Sequence, residues 1–317
     1  MNNFFYYLVP EDFDNKKTLK TEFFIIDELL KKGYKVCPIF KYEEINKDLN
    51  FDGIIFSSLK IILKNKKILS FAKSNNIPIF WWYFDTAKIG FSRQVKIKRI
   101  ARKVSIFFNK DKQEFSRYTK LGINPIWLDQ GVPSICKYNN IFKYDYDIGF
   151  FGSFEKSHSN RSNLLKRIDK KFNLIIYSKD YKKFISNGFT NVKPFVPIGA
   201  ISKNIAKINL VLNADYNSIN CWSNRVHLMI GSGGFSLVQN ISGLNDFYND
   251  KKHCIFFNDE IDLLNKISFW LSEDNEIQRD KLRLQGFKHA HSNYSYKIKT
   301  DFFISEIIKF IKNKRVR

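Results

Sequence analysis

Short apolar runs alternate with amphipathic stretches from the first residues onward, the pattern of parallel α/β architecture. Phe4 to Val9 reads as a strand. Residues 17 to 32 place Leu19, Phe23, Ile26, Leu29 and Leu30 at helical spacing, and Gly33 closes that helix. Strands follow at Tyr34 to Phe40 and Gly53 to Ser57, then a helix at Leu59 to Ala72 and a strand at Ile77 to Tyr83. A basic helix from Ser92 to Lys103, a strand at Val104 to Phe108, a helix at Lys110 to Leu121 and a strand at Asn124 to Leu128 complete the series. The polar, aromatic stretch Ser134 to Tyr144 has no period and reads as a linker.

A second series starts at the strand Asp147 to Phe151, which runs into Gly152 and Ser153. A polar loop to Asn160 leads to a helix at Arg161 to Lys171, a strand at Asn173 to Tyr177 and a short helix near Lys179 to Ser186. A helix over Ile198 to Ala206, a strand at Ile208 to Leu212 and a helix at Asn224 to Ile230 follow. Strands at Phe235 to Val238 and Cys254 to Phe257 come next, then helices at Ile261 to Leu271, Glu276 to Ala290 and Ile298 to Ile311. The two series predict two Rossmann-like, doubly wound domains in tandem, at 1–139 and 140–317, the last helix free to pack back on the first. The length of 317 residues agrees with two domains at roughly 150 residues each.

Composition narrows the class. With 53 Lys and Arg against 31 Asp and Glu the net charge is +22, yet 32 Phe, 15 Tyr and 5 Trp exclude a disordered basic tail. A positive field attracts nucleic acid, anionic membrane or phosphorylated substrates. Abundant Lys, Asn, Ile and Phe, all with A/T-rich codons, offer genome bias as the plain alternative. Ten of the cations fall between Arg93 and Lys120, and another cluster spans Lys309 to Arg317. Cys37, Cys136, Cys221 and Cys254 are too dispersed for a metal site and read as reduced, buried thiols. Phe4 to Val9 is too short for a signal-peptide core, and no apolar run approaches the ~20 residues of a membrane span. The expected location is the cytoplasm, with a peripheral contact on the inner face of the membrane as the alternative for the basic helix.

Ligands of open parallel sheets bind at the C-terminal ends of strands. Two loops there carry candidate chemistry. Cys221-Trp-Ser-Asn-Arg-Val-His-Leu-Met-Ile-Gly-Ser-Gly-Gly-Phe235 places Ser223 as a helix N-cap and Arg225 in the first turn, an arrangement suited to a diphosphate. Its plain alternative is a capped helix with Gly231, Gly233 and Gly234 as helix stop and turn. Phe151-Gly152-Ser153 leading to Arg161 offers flexible backbone and a second cation. Asp85, after the strand ending at Tyr83, is the best-placed acid of the first half, either as base for an acceptor hydroxyl or as a loop cap. His158, His227, His253, His289 and His291 form no metal-binding spacing, and the dehydrogenase, P-loop and hydrolase signatures are missing.

Taken in order, these motifs resemble the two-domain GT-B glycosyltransferases, in particular the spore-maturation-type and group 1-like branch. Asp147-Ile-Gly-Phe-Phe-Gly-Ser153 with Arg161 resembles the opening of that family's nucleotide-sugar domain, and Trp222 to Phe235 resembles its donor-loop helix. Gly243-Leu-Asn-Asp-Phe247 with the strand into Phe256, and Gly286 to Tyr296, are similar to its later segments. Ile77 to Asp85 and Phe115 to Gly122 match its first domain, so the likeness covers about four fifths of the chain. Leu228 stands where many relatives carry a Glu that holds the donor sugar or ribose. Tyr294 and Lys299 replace a His and an Arg of the closing segment.

The resemblance implies transfer of a sugar from a nucleotide-sugar donor to the hydroxyl of a glycan or lipid-linked acceptor, without a metal and with the nucleotide-sugar as co-substrate. In that scheme Gly152, Ser153, Arg161, Trp222, Ser223, Asn224, Arg225, His227, Gly233 and Gly234 contact the donor, and Asp85 is the catalytic candidate. Trp222 is equally readable as core. Two alternatives stay open: a degenerate relative that binds nucleotide or glycan without turnover, motivated by Leu228, and a DNA-acting transferase or nucleic-acid binder, motivated by +22. Nucleic acid is not the expected partner, because no nucleic-acid module is present.

Overall fold

The computed structural model describes residues 3–14, 20–86, 90–138, 144–154, 159–195, 206–213 and 220–315. The chain forms two compact units, Met1–Gln130 with Tyr296–Arg317, and Gly131–Ser295. The sequence reading divided it at 139; the compact units exchange at Gln130 and again at Tyr296.

The first unit holds β1 (Phe4–Leu8), α1 (Thr21–Lys31), β2 (Lys35–Ile39), β3 (Gly53–Phe56), α2 (Leu59–Lys64), α3 (Lys67–Ser74), β4 (Ile79–Tyr83), α4 (Phe91–Ala101), β5 (Ile106–Asn109), α5 (Phe115–Thr119) and β6 (Pro125–Trp127). All pairings are parallel, in the order β2-β1-β3-β4-β5-β6. Both faces of such a sheet are covered, which is why its strands read as continuous apolar runs. Successive side chains divide between two cores: Tyr6, Leu8, Trp81 and Tyr83 enter one, and Phe5, Tyr7, Phe80 and Trp82 the other.

The helix expected over 59–72 is two helices. Ser58 caps α2, accepting from the Ile61 N–H at 3.4 Å. Asn65 ends it, its amide donating to the Ile61 carbonyl at 3.1 Å while its Oδ1 accepts from the Tyr42 N–H at 3.1 Å. An Asn side chain that competes for backbone partners breaks the ladder. The helix expected at 110–121 is similarly reduced to a 3-10 turn at Lys112–Glu114 followed by the short α5.

The second unit contains β7 (Tyr146–Phe151), α6 (Ser159–Asp169), β8 (Leu174–Ser178), α7 (Tyr181–Ser186), β9 (Val192–Pro194), β10 (Ala206–Val211), α8 (Arg225–Gly231), β11 (Ser236–Gln239), β12 (Ile255–Phe257), α9 (Glu260–Leu271) and α10 (Glu276–Tyr294). Its parallel order, β12-β11-β10-β7-β8-β9, puts the reversal of chain direction across the sheet between β7 and β10. Ligands of doubly wound sheets bind outside the carboxyl ends of the strands at such a reversal. The missed strand β9 is three residues long with a proline on the sheet edge, below the length at which periodicity shows. The helix expected over 198–206 and the centre of the expected linker, 139–143, lie outside the described residues; Ala206 begins β10.

The last helix, α11 (Tyr296–Arg315), belongs to the first unit. Phe303 lies with its ring centroid 4.9 Å from those of both Trp82 and Phe108, and Tyr296 stacks on Phe24 at 5.5 Å. Lys299 forms a buried ion pair with Asp129. Among the described residues no helix is long and apolar enough to cross a membrane.

Candidate functional site

The reversal between β7 and β10 is built around one guanidinium. Arg225, the first residue of α8, donates from Nη1 to the Phe151 carbonyl at 2.9 Å and from Nη2 to the Leu212 carbonyl at 3.0 Å. These are the carbonyls of the last residue of β7 and of the residue that follows β10. Gly152 is required beside them, since a Cβ there would fall on Arg225 Nη1 and lie 2.7 Å from the Phe150 ring. The Phe150 ring carries two cations, with the Arg225 Cζ 5.7 Å and the Arg161 Cζ 5.6 Å from its centroid. Arg161, 5% exposed, donates from Nη2 to the Ser153 carbonyl at 2.7 Å. Gly152, Ser153, Arg161 and Arg225 thus converge on one edge of the sheet. The positions that follow from a strand, a tight loop and a helix start place two positive charges together.

The loop before α8 is fixed by polar side chains. Asn213 Oδ1 accepts from the Ser223 N–H at 2.8 Å, and Gln239 Oε1 accepts from the Asn213 N–H at 3.0 Å. Ser223 Oγ accepts from the Arg225 N–H at 3.3 Å, the cap role its sequence position suggested, while Asn224 already has helical backbone angles. A cavity of about 330 Å³ opens here, lined by Asn160, Arg161, Arg167, Asn213, Gln239 and Asn258 among others. The same wall carries Asp259 and Glu260, and Glu260 is ion-paired with Arg167; the amides and the Arg161 guanidinium are donors suited to phosphate and sugar oxygens. Asn213, Gln239 and Arg167 were not singled out in the sequence.

Trp222 and His227 belong to the interior instead. Trp222 is 4% exposed and His227 1% exposed. Trp222 Nε1 donates to His227 Nε2 at 3.3 Å, so Nε2 carries no proton and Nδ1–H donates to the Tyr248 hydroxyl at 2.8 Å. This neutral tautomer joins an aromatic cluster with Phe247, Tyr248 and Tyr294. Beyond Tyr248, His253 and His289 stack with centroids 3.8 Å apart and planes at 12°. Burial first, then the charge of His289 and Lys252, pushes the His253 pKa down to about 4. Gly233 and Gly234 fall at the far end of α8, before β11. Gly233 takes φ +76° against the Tyr138 ring, and Gly234 leaves room for the Asn209 amide; both serve the turn.

In the first unit, Asp85 follows β4 and its side chain is exposed. Arg93 Nη2 donates to its carboxylate at 2.8 Å, and Arg93 also donates to the Tyr83 hydroxyl from Nη2 at 2.8 Å. Asp85 lines a cavity of about 590 Å³ whose wall also includes Glu22, Ser57, Lys60, Arg93 and Lys96. Glu22, in the first turn of α1, is buried, and desolvation raises its pKa from the ordinary value. A Glu in a first helical turn reads in a sequence as a complement to the helix dipole, so nothing there marked it.

Residues 161–305 match the model of the glycosyl transferase-like family, a span that includes both Arg161 and Arg225. No curated protein sequence matches the chain. Among solved structures, the sucrose-phosphate synthase of Thermosynechococcus elongatus is similar with a TM-score of 0.68 at 8% identity, covering 98% of this chain and 99% of that one. HepE of Anabaena, in complex with UDP and glucose, has a TM-score of 0.65 at 9% identity over 96% of this chain and 99% of its own. An α-glucosyltransferase in complex with UDP-glucose and DNA gives 0.64 at 10% identity over 98% and 99%. Two parallel six-stranded sheets, a guanidinium at the strand reversal of the second and these likenesses identify a GT-B glycosyltransferase fold, with a glycosyl transferase-like sequence over residues 161–305.

Proposed function

We propose that the protein transfers a sugar from a nucleotide-sugar donor, held by the second unit, to an acceptor hydroxyl held by the first, in the synthesis of a surface glycan or glycolipid. The observation that carries this is Arg225 at the reversal of the second sheet, hydrogen-bonded to the carbonyls of Phe151, which ends β7, and Leu212, which follows β10, and next to Arg161. Backbone carbonyls orient the guanidinium without cancelling its charge, so it stays positive where a diphosphate leaving group develops negative charge. Arg161 and the amides of Asn213 and Gln239 supply further donors on the cavity wall, where Arg167 is already paired with Glu260. A metal-independent mechanism fits this set, and the donor is the co-substrate. HepE, in complex with UDP and with UDP-glucose, makes UDP the first nucleotide to test. The test is a thermal-shift screen of UDP-, GDP-, ADP- and dTDP-sugars followed by turnover: a donor at ~100 times its Kd stabilises by about 2.7 kcal/mol. The absence of any shift and any hydrolysis sinks the proposal.

Leu228 motivates a second reading, a relative that binds donor without turnover. It sits half-buried in α8, where relatives of the resembled family carry a Glu. Donor binding without transfer across an acceptor panel supports this reading. Transfer that rises in Leu228→Glu points to a weakened active site instead.

The exposed face of α4 supports a cytoplasmic protein with a peripheral membrane contact. Phe91 is 82% exposed and Val95 is exposed beside it, with Lys96, Arg99, Arg102 and Lys103 exposed around them. An apolar side chain rimmed by cations suits the inner face of an anionic membrane. Co-sedimentation with phosphatidylserine vesicles, and its loss with neutral vesicles or in Phe91→Ser, is the expected result. Equal binding to both vesicles removes the contact.

A further inference from the structure

The first unit's cavity has chemistry of its own. Its floor is formed by buried polar groups: Glu22 is 7% exposed, and Ser57, 2% exposed, exchanges a hydrogen bond with the Tyr7 hydroxyl at 2.6 Å. Its rim carries cations from two helices, Lys60 in the first turn of α2 and Arg93 and Lys96 in α4. Arg93 is engaged by Asp85 and Tyr83, whereas no carboxylate of the described residues lies within ion-pair distance of Lys60 or Lys96. Phe84, Leu59 and Leu63 provide apolar wall between floor and rim. A neutral sugar would use the floor and the apolar wall and leave both lysines without a role.

We propose that this cavity binds an acceptor sugar carrying a carboxylate or a phosphate, with its anionic group on Lys60 and Lys96 and a hydroxyl turned toward Glu22 and Ser57. The inference rests on the first unit being the acceptor side of a glycosyltransferase, and it specifies the acceptor class within that reading. The volume of about 590 Å³ is that of a pocket able to enclose a small saccharide. A point charge on a flexible stem recognises a phosphate or a carboxylate without demanding one orientation, so the two lysines select charge while the floor selects the hydroxyl.

Isothermal titration of the full chain with glucuronic acid, glucose 6-phosphate, glucose and inorganic phosphate tests it, with UDP titrated separately. At least one of the two charged sugars is expected to bind about tenfold or more tighter than glucose at low salt, and tighter than inorganic phosphate. Lys60 and Lys96 are both exposed, so Lys60→Ala with Lys96→Ala leaves the core intact. The double variant is expected to bring the charged sugar to within about threefold of glucose while UDP affinity is unchanged. Glu22→Gln is expected to weaken all three sugars and leave inorganic phosphate unaffected. Equal affinities for the charged sugars and glucose, or inorganic phosphate binding as tightly as glucose 6-phosphate, overturn the inference. Failure of UDP to bind the wild type counts against the donor reading alone, because the sugar titrations do not depend on it.

Discussion

The two units repeat one architecture and equip it differently. In each, six parallel strands place a candidate site at their carboxyl ends. In the second unit that edge is organised by guanidinium groups locked to main-chain carbonyls, Arg225 on Phe151 and Leu212 and Arg161 on Ser153. In the first it is organised by the buried side chain of Glu22, a hydroxyl pair and exposed lysines on flexible stems. A fixed positive site suits a group that is the same in every donor, a diphosphate. A mobile rim over a polar floor suits acceptors whose outlines differ. The units also differ in how their cores are completed: the first takes in α11 from the C-terminus, whereas the second is continuous in sequence.

The largest expected effect concerns that last difference. Lys299→Ala removes the ion-pair partner of buried Asp129 and should cost the first unit about 3–5 kcal/mol. Hydrogen exchange is expected to show lost protection in β1 to β6 and retained protection in β7 to β12; an equal loss in both would break the distinction between the units. Next, Arg225→Lys keeps a charge but not the fork that spans two carbonyls, and should weaken UDP binding about 10- to 100-fold. Glucuronate or glucose 6-phosphate titrated into the same variant should bind as to the wild type, and a shared loss would mean the two edges are not independent.

Acid separates the units more gently. His253 has a folded pKa near 4, below its ordinary 6.5, so the unfolded chain binds the proton first. Its contribution is complete above about pH 6.5 and is lost as pH falls toward about 4, at most about 3 kcal/mol in all. Urea unfolding of wild type and His253→Asn over that range should show a flatter dependence in the variant, and parallel curves would remove the assignment. The smallest effect is Trp222→Phe, which leaves the buried His227 Nε2 without its indole donor and should cost the second unit about 1 kcal/mol. A loss of UDP affinity in that variant larger than its loss of stability would return Trp222 to the donor edge.

Much of the fold could be read from residue order because strands such as Ile79–Tyr83 are buried on both faces and flanked by polar turns. The break of α2 from α3 could not, since Asn65 fits a helical surface position as well as a helix end and only its contacts with Tyr42 and Ile61 distinguish the two. At the candidate site Arg161 and Arg225 were legible from their places after a strand and at a helix start. Asn213 and Gln239 look like ordinary turn residues until the loop they hold is seen. Nor does order alone tell which of Arg225, Val226 and His227 turns inward; the decision lies with Trp222 and Tyr248, whose partnership with His227 is tertiary.

The return of α11 sets a timetable for synthesis. Phe303, fully buried, packs on Trp82 and Phe108, Ile307 joins the same core, and both follow the whole of the second unit in the sequence. A ribosome therefore releases every strand of the first sheet, and all of the second unit, before the side chains that close the first core have left the exit tunnel. The first unit's core waits on a helix that follows the whole second unit, and until α11 arrives Trp82 and Phe108 lack the ring that packs on both of them.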